Sequence, residues 1–336
     1  MRPVTVDLSI VIVNWNSASF LEPCLKSIAR QAESLVVETI VVDNASYDGS
    51  REVVAGMQSY LPSIIFVQNE RNAGFAAANN LGYARSSGDH ILFLNPDTEL
   101  REHAVSRLID VLNTHPDAGA AAPMLLNTDG TLQTSCVQSY PSILNQVADS
   151  EVLRQWFPGS ALWGMRPLYS EEEGPIEAEV LAGASLMVRK SVFEEVGGFC
   201  EDYFMYAEDV DLCRRIRLAG YRNYYEKSAV VVHHGGGSTL RREVSALSLA
   251  MRRESIWLFF RKTRGAAYAS VYRAAMAIAA LVRLMLICSL GRVMPIARSK
   301  GTSSSVTKWR TVLKWTLGRH EDVKALMRSR AVDYGQ

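Results

Sequence analysis

Asn95-Pro96-Asp97 closes the apolar run Ile91-Leu92-Phe93-Leu94, and a second carboxylate follows at Glu99. Asn-Pro-Asp is ordinary turn chemistry, with Pro96 fixing φ and the flanking side chains bonding their own backbone. A carboxylate at a strand tip is equally a hard oxygen ligand for Mg²⁺ or Mn²⁺. Two further groups are of types that do chemistry. Glu208-Asp209-Val210-Asp211 precedes Leu212, Ile216 and Ala219, whose spacing predicts a helix with these carboxylates in its first turn. The helix dipole keeps a carboxylate there ionised and able to act as a base, although helices also carry acidic first turns for stability alone. His233-His234 follows the apolar run 229–232 and precedes Gly235-Gly236-Gly237-Ser238. Imidazoles ligate metals, glycines let a backbone approach a phosphate, and a solvent-facing strand end is the plain alternative.

Strands alternating with helices must carry these groups. Residues 8–13, 36–42, 64–67 and 91–94 are short apolar runs, and helical spacing falls between them at 18–30, 74–85 and 101–112. The alternation predicts parallel β-α-β units with both sheet faces covered. Ligands of such sheets bind at the carboxyl ends of the strands. All four loops at those ends are polar: Asn14-Trp15-Asn16-Ser17, Asp43-Asn44-Ala45-Ser46, residues 69–75, and Asn95-Pro96-Asp97. Helix capping explains one or two of them, through Ser17 and Ser46 or Asp48. Four together read as one site. No GxGxxG follows the first strand and no GxxxxGK[ST] occurs, which disfavours a dinucleotide-binding hydride-transfer enzyme and a P-loop. Residues 114–180 read as less regular. A strand over 179–188 and a short helix over 190–196 follow.

At 336 residues one or two domains are expected. Five scattered cysteines with no CxxC pair fit a reducing compartment and disfavour a cysteine zinc site. The first apolar run is too short for a signal peptide. The net charge of +1 hides an asymmetry: residues 1–238 carry 17 Lys and Arg against 30 Asp and Glu, and residues 239–336 carry 19 against 5. Basic tails meet phosphate, in nucleic acid or in anionic lipid.

Taken together, SIVIVNWNS, VVDNASYDGS, NERNAGFAAANN, LFLNPDTEL, GASLMVRKSVFEEVGGF, FMYAEDVDLCRRIRLAGY and VVHHGGGST resemble the family 2 glycosyltransferases, in their rhamnosyltransferase-like bacterial branch. The resemblance covers about residues 7–240. It implies a GT-A fold, Rossmann-like, with a mostly parallel sheet and helices on both faces. Its domain would be 1–240, with a nucleotide-sugar-binding half over 1–113 and an acceptor and catalytic half over 114–240. Residues 241–336 would form a basic helical extension. The implied activity is inverting transfer of a sugar, L-rhamnose from dTDP-rhamnose in the first instance, to a polyprenyl-diphosphate-linked glycan in surface polysaccharide synthesis. Galactofuranose or glucose transfer is the neighbouring alternative. A non-catalytic nucleotide- or carbohydrate-binding protein on the same fold is the distant one.

The resemblance also implies roles. Asp209 is the general base, with Glu208 beside it. Asp97 holds a divalent metal, Mg²⁺ or Mn²⁺, although Asn95 stands where the family's Asp-x-Asp motif has its first carboxylate. His233 is the second ligand, with His234 as the alternative. Asp43 meets the base or ribose, Asn14 and Asn16 line the same pocket, and Arg71, Asn72 and Gly74 face the base or diphosphate, with Asn79 or Asn80 close behind. Trp15 is a site residue or a core residue.

Residues 245–263 and 266–290 read as helices rich in Ala, Leu, Met and aromatics. Only nine residues separate Arg273 from Arg283, too few to cross a bilayer. An interfacial helix is expected, its arginines snorkelling to lipid phosphate, on the cytoplasmic face of the membrane. The interleaved apolar residues favour an anionic membrane surface over nucleic acid as the tail's partner.

Overall fold

Seven residues at the start of the sheet, strand β1 (Leu8–Asn14), are buried without exception. An element with both faces covered needs an unbroken apolar run, and Leu8, Ile10, Val11, Ile12 and Val13 supply it. The computed structural model describes residues 6–31, 35–235, 242–293 and 300–328. The chain divides into two units: residues 1–140, 157–201 and 208–238, and residues 141–156, 202–207 and 239–336. Segments 141–156 and 202–207 thus cluster with the C-terminal part of the chain.

In the first unit β1 pairs in parallel with β2 (Val37–Asp43) and, on its other side, with β4 (His90–Leu94), while β3 (Ile64–Gln68) extends the sheet beyond β2. Helices Ala18–Gln31, Ser50–Gly56 and Phe75–Tyr83 make the crossovers. The remaining strands are β5 (Thr98–Leu100), β6 (Ala118–Leu126), β7 (Val137–Gln138), β8 (Ile176–Ala178), β9 (Val180–Leu181), β10 (Ser185–Arg189) and β11 (Arg222–His233). The main sheet runs β3-β2-β1-β4-β10-β6-β11-β5, with β8 beside β11. It is mixed: β10 is antiparallel to both β4 and β6. The strand expected over 179–188 is broken at residues 182–184, a loop whose position matters below.

Strand β6 was expected to be irregular and instead lies between β10 and β11 near the middle of the sheet. Its sequence, AGAAAPMLL, lacks the β-branched signature of a strand. The reason is the helix Glu208–Leu218. A Cβ on Gly119 would stand 2.6 Å from Ile216 Cγ2 and 2.9 Å from the Tyr221 Cβ. Small residues let that helix approach the sheet. Pro123 sits beside a register shift of β11 between Glu226 and Val230, where a missing ladder donor is tolerated.

The second unit is helical: Ile143–Val147, Glu151–Trp156, Arg242–Val293, Lys300–Thr316 and Glu321–Arg328. Gly265, at φ 86° and ψ 169°, divides the long helix in two. Phe260, Tyr272 and Trp315 are fully buried, with Phe260 and Tyr272 ring centroids 4.9 Å apart. The arginines do not snorkel as expected. Arg273 pairs with Glu254 at 3.0 Å and lies over Trp257 and Trp315. Arg283 donates to the carbonyls of Val147 and Asp149 and covers Trp309 at 4.2 Å. Both guanidinium groups turn to partners within their own unit, and Arg273 Nε is buried with none among the described residues.

Candidate active site

The tips of β1, β2 and β3 are sewn together by side-chain amides and carboxylates. Asn14, fully buried, donates from Nδ2 to Asp43 Oδ1 at 2.8 Å and to Ser50 Oγ at 2.8 Å. Asp43 is 2% exposed. Its Oδ2 accepts from the Ser46 backbone N–H at 2.9 Å and from Gln68 Nε2 at 2.7 Å. Burial alone would raise this carboxyl; the hydrogen bonds from Ser46, Asn14 and Gln68 outweigh it and hold the group below the ordinary carboxylate value. Asn16, at φ 51°, accepts from the Tyr47 N–H at 3.0 Å, and its own N–H donates to Ser46 Oγ. Asn44 reaches the third loop. It donates to Asn72 Oδ1 at 3.1 Å and to the Gly74 carbonyl at 3.2 Å, and accepts from Asn69 at 2.8 Å. Beside this weave opens a cleft of about 350 Å³, lined by Asp43, Ser46, Tyr47, Arg51 and Gln68 among others. Arg51 is fixed there over Phe66 and against Gln68.

Several anticipated residues fall into place and some do not. Trp15 is 38% exposed and is not a core residue. Arg71 is exposed on the third loop. Asn79 is 1% exposed and donates to the Phe75 carbonyl of its own helix, so it serves the helix. Asn80 binds Phe199 and Glu201, tying that helix to the segment after 198.

At the tip of β4 the geometry changes. The Asn95 N–H donates to the Ala184 carbonyl at 2.9 Å, and the next N–H back in that loop, of Gly183, donates to Asp209 Oδ2 at 2.9 Å. Loop 182–184 therefore links the Asn95–Asp97 corner to the first turn of helix Glu208–Leu218. Asp209 also accepts from the Val210 N–H at 2.8 Å. Gly183 cannot be enlarged freely, because a Cβ there would stand 3.3 Å from that of Asp209. Glu208 is 6% exposed, and its Oε2 finds no partner among the described residues. Burial, reinforced by the Asp209 charge, pushes its carboxyl well above the usual carboxylate range.

His233 ends β11, His234 follows it, and the two separate cleanly. His233 Nε2 stands 3.4 Å from Asp97 Oδ1 and 3.4 Å from Asn95 Nδ2. His234 turns elsewhere, to Glu99 at 2.8 Å and Thr128 at 3.0 Å, with its ring near Phe20. A residue not anticipated from the sequence, Gln133, sets the His233 tautomer. Gln133 Nε2 donates to Asn127 Oδ1 and to the His233 carbonyl, which leaves Gln133 Oε1 to accept from His233 Nδ1 at 2.8 Å. In the neutral imidazole, His233 Nε2 then carries the lone pair toward Asp97. Among the described residues no three His, Cys, Asp or Glu side chains gather as a metal cage. One carboxylate oxygen and one imidazole lone pair on the same point nonetheless suit a cation whose other ligands are phosphate oxygens and water. Gly236, Gly237 and Ser238 lie outside the described residues.

A mixed α/β sheet with polar strand tips converging on an acidic helix start defines a class, and comparison with known proteins names it. Residues 9–197 match the model of Glycosyl transferase family 2, and the chain belongs to that family. It is a glycosyltransferase. It is 32% identical over 270 residues to the N-acetylglucosaminyl-diphospho-decaprenol L-rhamnosyltransferase of Mycobacterium tuberculosis, covering 76% of this chain and 84% of the relative. Rhamnosyltransferase WbbL of Escherichia coli K12 is 28% identical over 162 residues, 45% of this chain and 57% of WbbL. In fold it is similar to the mannosyltransferase PcManGT of Pyrobaculum calidifontis, solved with GDP-Man and Mn²⁺, at a TM-score of 0.61 and 17% identity over 95% of this chain and 88% of that one.

Proposed function

We propose that the chain transfers L-rhamnose from dTDP-rhamnose, with inversion, to a polyprenyl-diphosphate-linked sugar. The observation that carries the mechanism is the bonded path from Asp209 through Gly183 and Ala184 to Asn95, which holds a carboxylate base and the Asn95–Asp97–His233 corner in one frame. The name of the mycobacterial relative supports rhamnose as the sugar and a polyprenyl-diphosphate-linked acceptor.

In this reading the loops of Asn14, Asn16, Asp43, Asn72 and Gly74 form the nucleoside side. Asp97 and His233 would hold Mg²⁺ or Mn²⁺, which when bound offsets charge growing on the departing diphosphate. Asp209 takes the proton from the acceptor hydroxyl as the glycosidic bond forms. One Asp209 oxygen accepts the Gly183 N–H and the other the Val210 N–H, and those bonds favour the ionised form. Burial and the Asp209 charge push the Glu208 carboxyl well above the usual carboxylate range, which makes it the less readily ionised of the two.

The second unit supports work at a membrane surface. Residues 246–289 contain an 18-residue window that is apolar enough, by length and composition, to cross a bilayer. Val271, Ile278, Leu281, Val282, Met285 and Leu286 are exposed, and their spacing puts them on one helix face. We assign that face to the interface of an anionic cytoplasmic leaflet, with the protein peripheral. A nucleotide-sugar panel with release of the nucleoside diphosphate as readout tests the donor. dTDP-rhamnose should be used in preference to UDP- and GDP-sugars, and preference for one of those would refute the assignment.

A further inference from the structure

The second unit concentrates positive charge around a single carboxylate. Asp149 pairs with Arg154 at 2.9 Å and with Arg253 at 3.6 Å, and its carbonyl accepts from Arg283. Arg253 is 2% exposed. One of its amino groups is satisfied by Gln146 at 2.8 Å, but its Nε is buried with no partner among the described residues. Arg252 and Lys308, both with exposed side chains, complete the group. Burial would raise the Asp149 carboxyl, yet Arg154, Arg253, Arg252 and Lys308 together hold it below its ordinary value. Arg154 and Arg253 pair with the Asp149 carboxylate, Arg252 and Lys308 add their charge to its surroundings, and Arg283 holds its main-chain carbonyl. A buried guanidinium is costly unless its charge and its donors are met, and here they are met only in part.

We infer that Arg154, Arg252, Arg253, Arg283 and Lys308 form a phosphoryl-anion site in the C-terminal unit, and that its occupant is the diphosphate of a polyprenyl-linked acceptor. The inference rests on the lipid-linked acceptor of the proposed function. Guanidinium forks and an ammonium match the several oxygens of a diphosphate, which a single carboxylate cannot saturate. Arg253 is buried, Arg154 and Asp149 are partly exposed, and Arg252 and Lys308 are exposed. Convergence on a single carboxylate suits a small anion and not the extended backbone of a nucleic acid. The apolar face from Val271 to Leu286 includes residues on either side of Arg283 in sequence, so an isoprenoid chain and its diphosphate can be met by one helix.

The test is direct binding to the full-length chain, with no donor present, so it can fail while glycosyl transfer succeeds, and the reverse. The probes are farnesyl diphosphate, farnesol, inorganic diphosphate, and phosphatidylcholine vesicles with and without phosphatidylglycerol. Farnesyl diphosphate should bind the wild-type protein more tightly than either farnesol or inorganic diphosphate. Arg252→Ala with Lys308→Ala should weaken it by about tenfold to thirtyfold, the loss of two cations near an anion. Arg252→Lys with Lys308→Arg should restore it, and an unchanged unfolding midpoint in both variants excludes misfolding. Equal affinity for farnesyl diphosphate in the wild type and the double alanine variant would overturn the site. Inorganic diphosphate binding as tightly as farnesyl diphosphate would overturn the lipid as occupant. Loss of vesicle binding alone, with farnesyl diphosphate unaffected, would reassign the charges to bilayer headgroups and overturn it also.

Discussion

Asp43 and Asp97 stand at the ends of β2 and β4, which flank the same central strand, yet their carboxylates live differently. Asp43 is 2% exposed, and Asn14, Ser46 and Gln68 occupy both its oxygens. Asp97, its side chain 13% exposed, stands 3.4 Å from His233 Nε2, and the other ring nitrogen meets Gln133. The first carboxylate is spent on architecture: it shapes the cleft before anything enters. The second stands opposite an imidazole, the pair to which the proposed function gives a cation. The difference teaches where substitution should cost stability and where it should cost chemistry.

The sharpest break lies at the base. Asp209→Asn should lower turnover by about 10² to 10⁴ while dTDP binding is retained, because the amide keeps the shape and loses the proton acceptor. Steady-state kinetics with a separate binding titration check it, and near-normal turnover would remove Asp209 from the mechanism. Next come the histidines. His233→Ala should cost far more Mn²⁺ affinity than His234→Ala, and Gln133→Leu should cost about tenfold to a hundredfold through His233, as partners behind a metal ligand do. Metal titration in the presence of dTDP separates these from structural damage, and equal losses at His233 and His234 would contradict the assignment.

The architectural side should answer in stability. Asn44 binds Asn69, Asn72, Ala73 and Gly74, so Asn44→Ala leaves several polar groups without partners and should cost about 1–3 kcal/mol in urea unfolding. The smallest expected effect is at Glu208. Its folded-state carboxyl titrates above the ordinary value of 4.5, so the folded protein holds an extra proton. Stability therefore falls as pH rises from about 4.5 through the raised folded value. Glu208→Gln should flatten that fall, and a pH series of unfolding free energies reads it; an unchanged slope would place the carboxyl elsewhere on the scale.

The candidate site was legible in the sequence where a residue's chemistry and its place on an element coincide. Asp97 after an apolar run, Asp209 ahead of helical spacing and His233 at a strand end are all of this kind. Residues that act by bonding other side chains were not legible there. Gln133 lies in a stretch with no periodicity, and Gln68 and Asn44 look like any polar loop residues until three loops are brought together. The strand β6 was hidden for a different reason. Its alanines and glycine are set by how closely the helix bearing Asp209 must pack, a tertiary demand that overrides strand propensity. Arg273 and Arg283 were misjudged because an apolar helix suggests lipid, whereas Glu254, Trp309 and the carbonyls of Val147 and Asp149 were out of view.

The contrast between the two carboxylates is tested most directly by calorimetric titration of thymidine and of dTDP, each with Mn²⁺ and with chelator, into the wild-type protein and Asp97→Ala. Thymidine should bind equally in all four settings, since the Asp43 cleft is already built. dTDP should lose about tenfold or more in affinity on chelation and in Asp97→Ala, with no further loss when the two are combined. dTDP binding that ignores both the metal and Asp97 would contradict the account.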